Sequence, residues 1–440
     1  KVLFVPDIEI THYKGTCSQS RPIRVEWYKH RGMWRYYDKF LAGDSPFYVT
    51  GVVWLGIVSR FFLITSATIF KRLLSVFRAS QPTSPQAPLQ DSSCNEYSIN
   101  WPVVLAGKSV LVTGATGQVG RRLLVALQAT GAKIALLSRD AQKARNQFSS
   151  EDINVIQADL TVPDTLSGAC VGIDTVFHLA RDPDTKGDVL IGADRKHAAV
   201  TLAGIRHLIA DAKSSGVRQI IFASSEHGSA DDIAQNSYAQ AMRKAEKLLL
   251  DSAGDSSPEV SVLRFPTIYG SSEHGRIARM IAAIDSGRYL PIPEFNNRRS
   301  MIHCDDAARA LLIAASSGGL RGKIFTVTDG ESYSTRRLYC SIKMALGKPL
   351  PGWYLPESVL QVMAYIGDGL SKYVKRPMPF NSTVLDELRG SAEFDGSTFA
   401  REMAFEPYYN LESALPMMVA VYRRKQDRST RTNNCHPSMT

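Results

Sequence analysis

The sequence has few cysteines, and they are scattered along the chain. It contains 6 cysteines in 440 residues, with no Cys-x-x-Cys pair and no cluster of cysteine and histidine at metal-ligand spacing. This distribution predicts reduced thiols in a cytosolic compartment, with neither a disulfide framework nor a metal site. The chain also lacks an initial methionine and a signal peptide, so we expect it to be the C-terminal portion of a longer polypeptide.

An excess of charge of one sign is absent from the middle of the chain. The net charge is +10, but residues 1–100 hold 12 Lys and Arg against 7 Asp and Glu, and residues 423–440 hold 5 against 1. The nearly neutral middle argues against nucleic acid as a partner. The basic surplus instead flanks an apolar stretch, as it does beside the cytoplasmic face of a membrane.

Composition divides the chain into five successive parts. A polar, aromatic and basic segment comes first, and an apolar segment followed by basic residues comes next. A stretch rich in Ser, Pro and Gln then forms a linker, before a long region in which apolar runs and helical patterns alternate. A short basic tail, predicted to be disordered, ends the chain. The five parts are residues 1–46, 47–78, 79–104, 105–422 and 423–440.

The apolar segment, residues 47–78, is predicted to associate with a membrane. Its apolar core, residues 47–70, is long enough to cross a bilayer, but Arg60 lies within it. A central arginine costs about 2.5–3.5 kcal/mol on insertion, which favours association in the membrane plane. A true span and a buried helix of a soluble protein stay open as alternatives.

The long region from residue 105 to residue 422 alternates short apolar runs with amphipathic helical stretches. Such alternation predicts an α/β fold, in which βαβ units form a parallel sheet covered by helices on both faces. We find no internal repeat. The predicted strands are residues 109–112, 134–137, 155–157, 175–178, 219–223 and 260–264.

A glycine-rich turn follows the first predicted strand and precedes a helical pattern. Its three glycines permit a tight turn, let the backbone approach a pyrophosphate and allow the helix to pack closely on the sheet. Amide groups at the start of the helix then face the anion. The turn predicts a doubly wound Rossmann-type fold that binds a dinucleotide. The residues predicted to hold the cofactor here are Gly114, Thr116, Gly117, Gln118, Val119 and Gly120.

The spacing Gly-x-x-Gly-x-x-Gly resembles that of the short-chain dehydrogenase superfamily. The resemblance implies NAD or NADP as the cofactor, and Arg139 after the second strand would accommodate the 2′-phosphate of NADP. Asp140 would instead accept a hydrogen bond from the ribose of NAD, so both cofactors stay open. The resemblance also implies that five further residues lie beside the cofactor: Asp159, Leu160, Leu179, Ala180 and Pro266.

Two segments resemble the catalytic strand and the catalytic helix of this superfamily. The first ends at Ser225, which would orient the substrate oxygen, and the second carries Tyr238, which would act as general acid and base beside the cofactor. The superfamily has a lysine four residues after the tyrosine to lower its pKa, but Met242 stands there. Lys244 would lie about 120° away from Tyr238 around the helix and is a poor substitute.

Three later segments resemble sugar-nucleotide enzymes of the same superfamily. They are Leu-Arg-Phe-Pro-Thr-Ile-Tyr-Gly at 263–270, Arg-Arg-Ser-Met-Ile-His-Cys-Asp-Asp at 298–306 and Gly-Lys-Ile-Phe-Thr-Val-Thr-Asp-Gly at 322–330. With the turn, they resemble the NAD-dependent epimerase/dehydratase family of extended short-chain dehydrogenases, which includes reductases of 4-keto-6-deoxy sugar nucleotides. The resemblance implies a small C-terminal substrate-binding part, a UDP- or dTDP-linked sugar, and Arg299 as the ligand of its diphosphate. A surface ion pair is the alternative role for Arg299.

The start of the chain carries an apolar run that ends at His12, and Arg21, Trp27 and residues 29–33 follow. These residues resemble the end of bacterial family 2 glycosyltransferases of the rhamnosyltransferase kind. The resemblance implies that His12 completes a metal and nucleotide site, although a lone histidine is more often without such a role. The aspartates that glycosyl transfer needs are absent, so residues 1–46 could not catalyse it alone.

The sequence favours an NAD(P)-dependent sugar-nucleotide epimerase or 4-keto reductase, acting in bacterial surface polysaccharide synthesis and fused to a glycosyltransferase remnant. The alternative, favoured by Met242, is a non-catalytic NAD(P)-binding regulatory module of a membrane-associated glycosyltransferase. Oxidoreductases of other alcohols stay open as a third class. The expected location is the inner face of the cell membrane, reached through residues 47–78, and a homodimer is left open.

Overall fold

The structure, a computed structural model, describes most of the chain after residue 104 and part of the chain before it. The described residues are 22–40, 50–51, 53–61, 105–148, 152–180, 195–226, 237–253, 258–270, 275–374, 378 and 380–434. The chain divides into two compact units, Lys1–Thr83 and Ser84–Thr440.

The described residues of the first unit are helical. Helix α1 spans Pro22–Phe40, and residues 50–51 and 53–61 are helical as well. Phe61 meets the rings of Trp27 and His30 edge-on, with centroid distances of 5.6 and 5.5 Å. These contacts join the two helical segments through aromatic side chains.

The described part of the first unit contains few of the residues on which the predictions of membrane association and of a glycosyltransferase remnant depend. Among the helices within the described ranges, none is long and apolar enough to cross a membrane. His12 and most of residues 47–78 lie outside the described residues. Both predictions therefore stay predictions.

The second unit is built on a sheet of seven strands, in which every pair of neighbours is parallel. The strand order is β3-β2-β1-β4-β5-β6-β9. The winding direction changes between β1 and β4, so the carboxyl ends of these strands border the crevice in which such folds bind ligands. The α/β Rossmann-type prediction is confirmed. The strands are β1 Ser109–Thr113, β2 Lys133–Ser138, β3 Ile153–Gln157, β4 Thr175–His178, β5 Gln219–Ser225, β6 Glu259–Phe265 and β9 Ile324–Thr326.

Helices cover both faces of this sheet, because its strands are apolar on both sides. In β1, Val110 and Val112 belong to one apolar cluster, and Leu111 between them belongs to another. Helices α2 and α8 contribute to the first cluster, and α5 and α6 contribute to the second. These helices and two shorter ones are α2 Gln118–Ala129, α3 Ala141–Gln147, α4 Pro163–Leu166, α5 Arg195–Ser214, α6 Ser237–Ser252 and α8 Cys304–Ser316.

A small second sheet and its helices form the C-terminal part. The strand order is β10-β8-β7, with β7 parallel and β10 antiparallel to β8. Its strands are β7 Thr267–Tyr269, β8 Arg299–His303 and β10 Ser332–Tyr333. Its helices are α7 Arg276–Asp285, α9 Thr335–Ala345, α10 Glu357–Val374, α11 Ser382–Arg389 and α13 Leu411–Asn434. Helix α12, Ser397–Glu402, instead packs on β9 of the larger sheet.

The last helix, α13, runs past residue 423, where the sequence predicts a disordered tail to begin. Residues 423–434 are therefore helical rather than disordered. Tyr422 donates a hydrogen bond to Asp285 at 3.1 Å, and Arg423 donates one to the backbone carbonyl of Leu346 at 2.8 Å. The helix continues into the basic segment because residues around the start of that segment are held against the C-terminal part by these hydrogen bonds.

Candidate active site

Two of the three glycines of the predicted cofactor turn, Gly114 and Gly120, lie where the backbone has no room for a side chain. Gly114 has a φ of +74°, and a Cβ there would stand 2.5 Å from the backbone nitrogen of Ala180. A Cβ on Gly120 would stand 2.5 Å from the backbone oxygen of Gly114. Gly117 donates its N–H to the same oxygen at 3.0 Å. The turn therefore brings β1, β4 and α2 together as closely as a pyrophosphate site requires.

The start of α2 suits an anion. Gly117 is the N-cap residue, it provides no side-chain cap, and the first turn of α2 has no acidic residue. The backbone N–H groups and the positive end of the helix dipole are thus available to a phosphate. Thr116 and Gly117 are exposed and Gln118 is partly exposed, whereas Val119 is buried in the core and contributes packing.

A buried pair holds the end of β4 beside this turn, and the sequence did not indicate it. The Thr113 hydroxyl lies 2.8 Å from Nδ1 of His178, and the N–H of Ala180 donates to Thr113 Oγ1 at 3.2 Å. Burial lowers the pKa of His178 to about 4, so its ring is neutral at physiological pH. Leu179 and Ala180, both predicted to line the cofactor, are thereby held against Gly114.

The two candidates for cofactor discrimination have different environments. Asp140 caps α3, since its carboxylate accepts the N–H of Lys143 at 2.9 Å, whereas Arg139 is exposed at the end of β2. Asp159 also carries negative charge here. Burial works in the opposite direction, but hydrogen bonds from Thr161 and the charge of Arg139 hold the pKa of Asp159 below its ordinary value.

Two other predicted cofactor residues differ in how accessible they are to a ligand. Leu160 follows Asp159 and is partly exposed, and its carbonyl oxygen lies 2.9 Å from Nδ1 of His207. Pro266 is buried between β6 and β7. Leu160 can contact a ligand directly, whereas Pro266 fixes the junction of the two sheets.

The predicted catalytic residues Ser225 and Tyr238 lie on a strand and a helix that are neighbours in the chain, β5 and α6. Ser225 ends β5, and Tyr238 is the second residue of α6, although its side chain lies outside the described set. Met242 is 1% exposed and packs in the apolar cluster between α6 and the sheet. Lys244 is exposed on α6. Met242 thus occupies the position at which the superfamily has a lysine, and Lys244 lies on a different, exposed side of the helix.

A buried charge network joins α6 to the ends of β5 and β6. Glu246 accepts hydrogen bonds from Ser224 at 2.5 Å and from Arg264 at 2.6 and 3.0 Å. Arg243 also donates to Glu246, at 3.0 Å. Burial alone would raise the pKa of Glu246, but the hydrogen bonds from Arg264 and Ser224 hold it below its ordinary value. The network fixes the helix that carries Tyr238, although sequence reasoning did not identify it.

Glu226 extends this network next to Ser225. Its carboxylate forms ion pairs with Arg243 at 3.4 Å and with Arg264 at 3.7 Å. Burial raises the pKa of Glu226, and the two guanidinium groups only partly compensate. A second acidic group thus lies at the carboxyl end of β5.

The predicted diphosphate ligand, Arg299, lines a small cavity together with a second arginine, Arg276, that sequence reasoning missed. Burial and the nearby charge of Arg276 lower the pKa of Arg299 to about 10. The cavity, of about 30 Å³, contains a cationic pair beside polar and apolar side chains. The lining residues are Thr267, Arg276, Ile277, Met280, Tyr289, Arg299, Met301, Thr335, Leu338 and Leu388.

Helix α11 lies over this arginine pair. Arg299 donates to the backbone carbonyl of Glu387, and the Glu387 carboxylate lies 3.6 Å from Arg276. Arg299 is therefore not in the surface ion pair that the sequence left open as its alternative role. An anion that enters the cavity would compete with Glu387 for both guanidinium groups.

Three potential metal ligands cluster in the core, but their chemistry does not suit a metal. Atoms of His303, Cys304 and Asp305 lie within 4.8 Å of one another. Asp305 already forms a bidentate ion pair with Arg122 of α2, with one contact at 2.7 Å. Burial raises the pKa of the Cys304 thiol to about 12, so it stays protonated. The cluster instead joins α2 to α8.

Comparison with known proteins extends this picture. Residues 110–327 match the model of the NAD dependent epimerase/dehydratase family. UDP-glucose 4-epimerase of Vibrio cholerae is 24% identical over 345 residues, 73% of this chain and 97% of that protein. N-acetyl-alpha-D-glucosaminyl-diphospho-ditrans,octacis-undecaprenol 4-epimerase of Escherichia coli O157:H7 is 22% identical over 334 residues, 72% of this chain and 97% of that protein. The structure of UDP-glucose 4-epimerase from Thermotoga maritima with UDP-glucose has a TM-score of 0.55 and 19% identity, over 72% of this chain and 99% of that one.

The family match covers the glycine turn, β5, α6 and both arginines of the cavity, but it does not extend to residues 1–46. The family match confirms the prediction that the cofactor is NAD or NADP, and the choice between the two stays open. Residues 110–327 belong to the NAD dependent epimerase/dehydratase family.

Proposed function

We propose that residues 105–422 catalyse NAD(P)-dependent chemistry at carbon 4 of a UDP- or dTDP-linked sugar, as an epimerase or as a 4-keto reductase. The observation that carries the proposal is the arginine pair near the catalytic strand. Ser225 is paired in register with Phe265, and Thr267, two residues later, lines the cavity that holds Arg276 and Arg299. Once α11 moves aside and opens the cavity, a diphosphate bound to the two guanidinium groups would place its sugar near Ser225.

The proposed roles follow from charge and position. Arg299 and Arg276 bind the diphosphate, since guanidinium groups pair with phosphate oxygens through two parallel hydrogen bonds. The hydroxyl of Ser225 orients the sugar oxygen, and the phenol of Tyr238 takes up or releases its proton. NAD(P), when bound at the glycine turn, supplies or accepts the hydride. Glu387 must move off Arg276 before the diphosphate binds.

Met242 determines the speed we expect of this enzyme. Met242 stands where the superfamily has a lysine, so the positive charge that would lower the pKa of the Tyr238 phenol is not supplied from that position. Little phenolate is then present at neutral pH. We expect slow turnover, with a rate that rises toward alkaline pH.

The relatives favour a diphosphate-linked sugar and leave its carrier open. One of them is named for a nucleotide sugar and the other for a sugar linked through diphosphate to undecaprenol. Both carry the diphosphate that an arginine pair would bind. We propose the nucleotide-linked sugar as the substrate. The fusion to a glycosyltransferase remnant and the location at the inner membrane face stay part of the proposal.

A non-catalytic NAD(P)-binding module is the second candidate, because Met242 is a buried apolar residue where catalysis would use a cation. The test is to titrate the full chain with NAD, NADP and their reduced forms, then add UDP-glucose, UDP-N-acetylglucosamine and a dTDP-4-keto-6-deoxy sugar. Products are separated by chromatography, and the reduced-nicotinamide absorbance is followed. Sugar-dependent turnover supports the enzyme, cofactor binding without turnover supports the module, and absence of cofactor binding refutes both.

A further inference from the structure

Helix α10, Glu357–Val374, has one buried face and one apolar face that points away from the protein. Leu360, Ala364 and Gly367 are buried, and the first two pack with Leu385 of α11. On the opposite side, five apolar or aromatic residues have exposed fractions between 40 and 87%. We call these five residues the α10 face: Val359, Val362, Tyr365, Ile366 and Tyr373.

The five residues form one continuous stripe. At 100° per residue they fall within an arc of about 120°, centred nearly opposite the buried face. Scattered exposed apolar residues need no explanation, but a stripe of this width on one helix indicates a surface that binds something apolar. None of the five belongs to an apolar cluster formed by the described residues.

The charges around the α10 face favour an anionic partner. The acidic residues of the helix are engaged within the protein: Glu357 pairs with Arg389 at 2.7 Å, and Asp368 accepts hydrogen bonds from Ser382. Lys372 is exposed about 20° around the helix from Tyr365, at the edge of the stripe. This edge of the stripe is therefore basic.

We propose that the α10 face lies in the plane of an anionic phospholipid bilayer and docks the protein there. An apolar helix face with a basic residue at its edge and tyrosines within it is the composition of an interfacial helix. Lysine is depleted from protein interfaces but gains attraction from an anionic bilayer, so lipid suits this surface better than a second copy of the chain. This proposal does not depend on the proposed function.

Docking through α10 would bring the cavity close to the bilayer. Helix α11 packs on α10, the Glu357–Arg389 ion pair joins the start of α10 to the end of α11, and Leu388 of α11 lines the cavity. The helix that lies over Arg276 and Arg299 is thus the helix that supports the docking surface.

The test is co-sedimentation of the full chain with vesicles of phosphatidylcholine alone and of phosphatidylcholine with 30% phosphatidylglycerol, a composition chosen to be about one-third anionic. The variant V362D/I366D places two carboxylates in the stripe. The control V171D places a carboxylate at another exposed valine, 70% exposed, outside α10. Because all three chains keep residues 47–78, any contribution of that segment is common to them.

We expect the unchanged chain and V171D to bind the anionic vesicles, and V362D/I366D to bind them at least tenfold more weakly, with an unchanged melting temperature and unchanged NAD(P) binding. Equal binding of all three chains would overturn the proposal, as would failure of the unchanged chain to bind. A loss of self-association in V362D/I366D without a loss of vesicle binding would assign the α10 face to a second copy instead.

Discussion

Replacing Met242 with lysine tests whether the missing cation limits catalysis. Met242 lies four residues after Tyr238 on α6, and at 100° per residue the two positions share nearly the same face of the helix. It is 1% exposed and packs between α6 and the sheet. The variant M242K therefore adds a positive charge near the phenol but removes an apolar side chain from the core.

The expected magnitudes can be worked out for both effects. A cation within 4–6 Å favours the ionised phenol and lowers its pKa by roughly 1–2 units from a reference of about 10. At pH 7 the phenolate fraction then rises about 10- to 100-fold, and the rate of the proton-transfer step rises with it. Placing a cation in the core should cost roughly 2–3 kcal/mol of unfolding free energy.

The assay is the pH dependence of kcat/KM for the sugar nucleotide, with thermal unfolding and NAD(P) titration to establish that the variant is folded. We expect the alkaline limb of the profile to move 1–2 units toward lower pH in M242K. The control M242L keeps an apolar side chain of similar volume and should change neither rate nor profile. A folded, cofactor-binding M242K with an unmoved profile would falsify the assignment of Tyr238 as the acid–base residue.

Three further predictions concern the turn, the cavity and a buried carboxyl group. G114A should abolish NAD(P) binding in a fluorescence titration, because its Cβ would overlap backbone atoms at the end of β4. G172A has a similar positive φ but nothing within 4 Å, so it should lose only about 1–2 kcal/mol of stability and keep cofactor binding. R299A should raise KM for the sugar nucleotide about tenfold or more without changing NAD(P) affinity. R298A, which removes an exposed arginine directly before β8, should leave KM unchanged. Equal effects of the two substitutions on KM would refute the diphosphate role of Arg299. Burial raises the pKa of Asp329 from 3.8 to about 6, so the folded protein binds more protons than the unfolded chain in this window. This group makes stability fall as pH rises from 4 to 6, and D329N should flatten that part of the melting-temperature profile.

Much of the α/β unit could be predicted because its determinants are local. The run at 109–112 predicts the strand observed at Ser109–Thr113, and a strand buried on both faces must be apolar throughout. The glycine turn could also be predicted, because its glycine spacing directly after a strand and before a helix is a local pattern, although the backbone that excludes a side chain at Gly114 belongs to the distant Ala180. Helical spacing alone predicts that Met242, and not Lys244, stands at the position four residues after Tyr238 where the superfamily has a lysine. The structure has Met242 buried and Lys244 exposed, on different sides of α6.

The partners of charged residues could not be predicted in the same way. Asp140 was considered as a ribose ligand, but it caps α3, a role that its position directly before a helix could have suggested. Glu246 and Arg264 lie 18 residues apart, and only the packing of α6 on β6 brings them together. Arg276 belongs to no recognisable motif, and it comes near Arg299 because α7 packs on β7, the strand that pairs with β8.

The sequence by itself determined the parallel sheet, the glycine turn, the strand and helix that are predicted to be catalytic, and the presence of Met242 where that prediction expects a lysine. These features depend on periodicity and on backbone geometry, which act over a few residues. Only the tertiary structure decided that two arginines share a cavity, that Glu387 lies against them, and that one face of α10 stays uncovered. Such features depend on contacts between segments far apart in the chain, and their energies arise only once those segments have packed together.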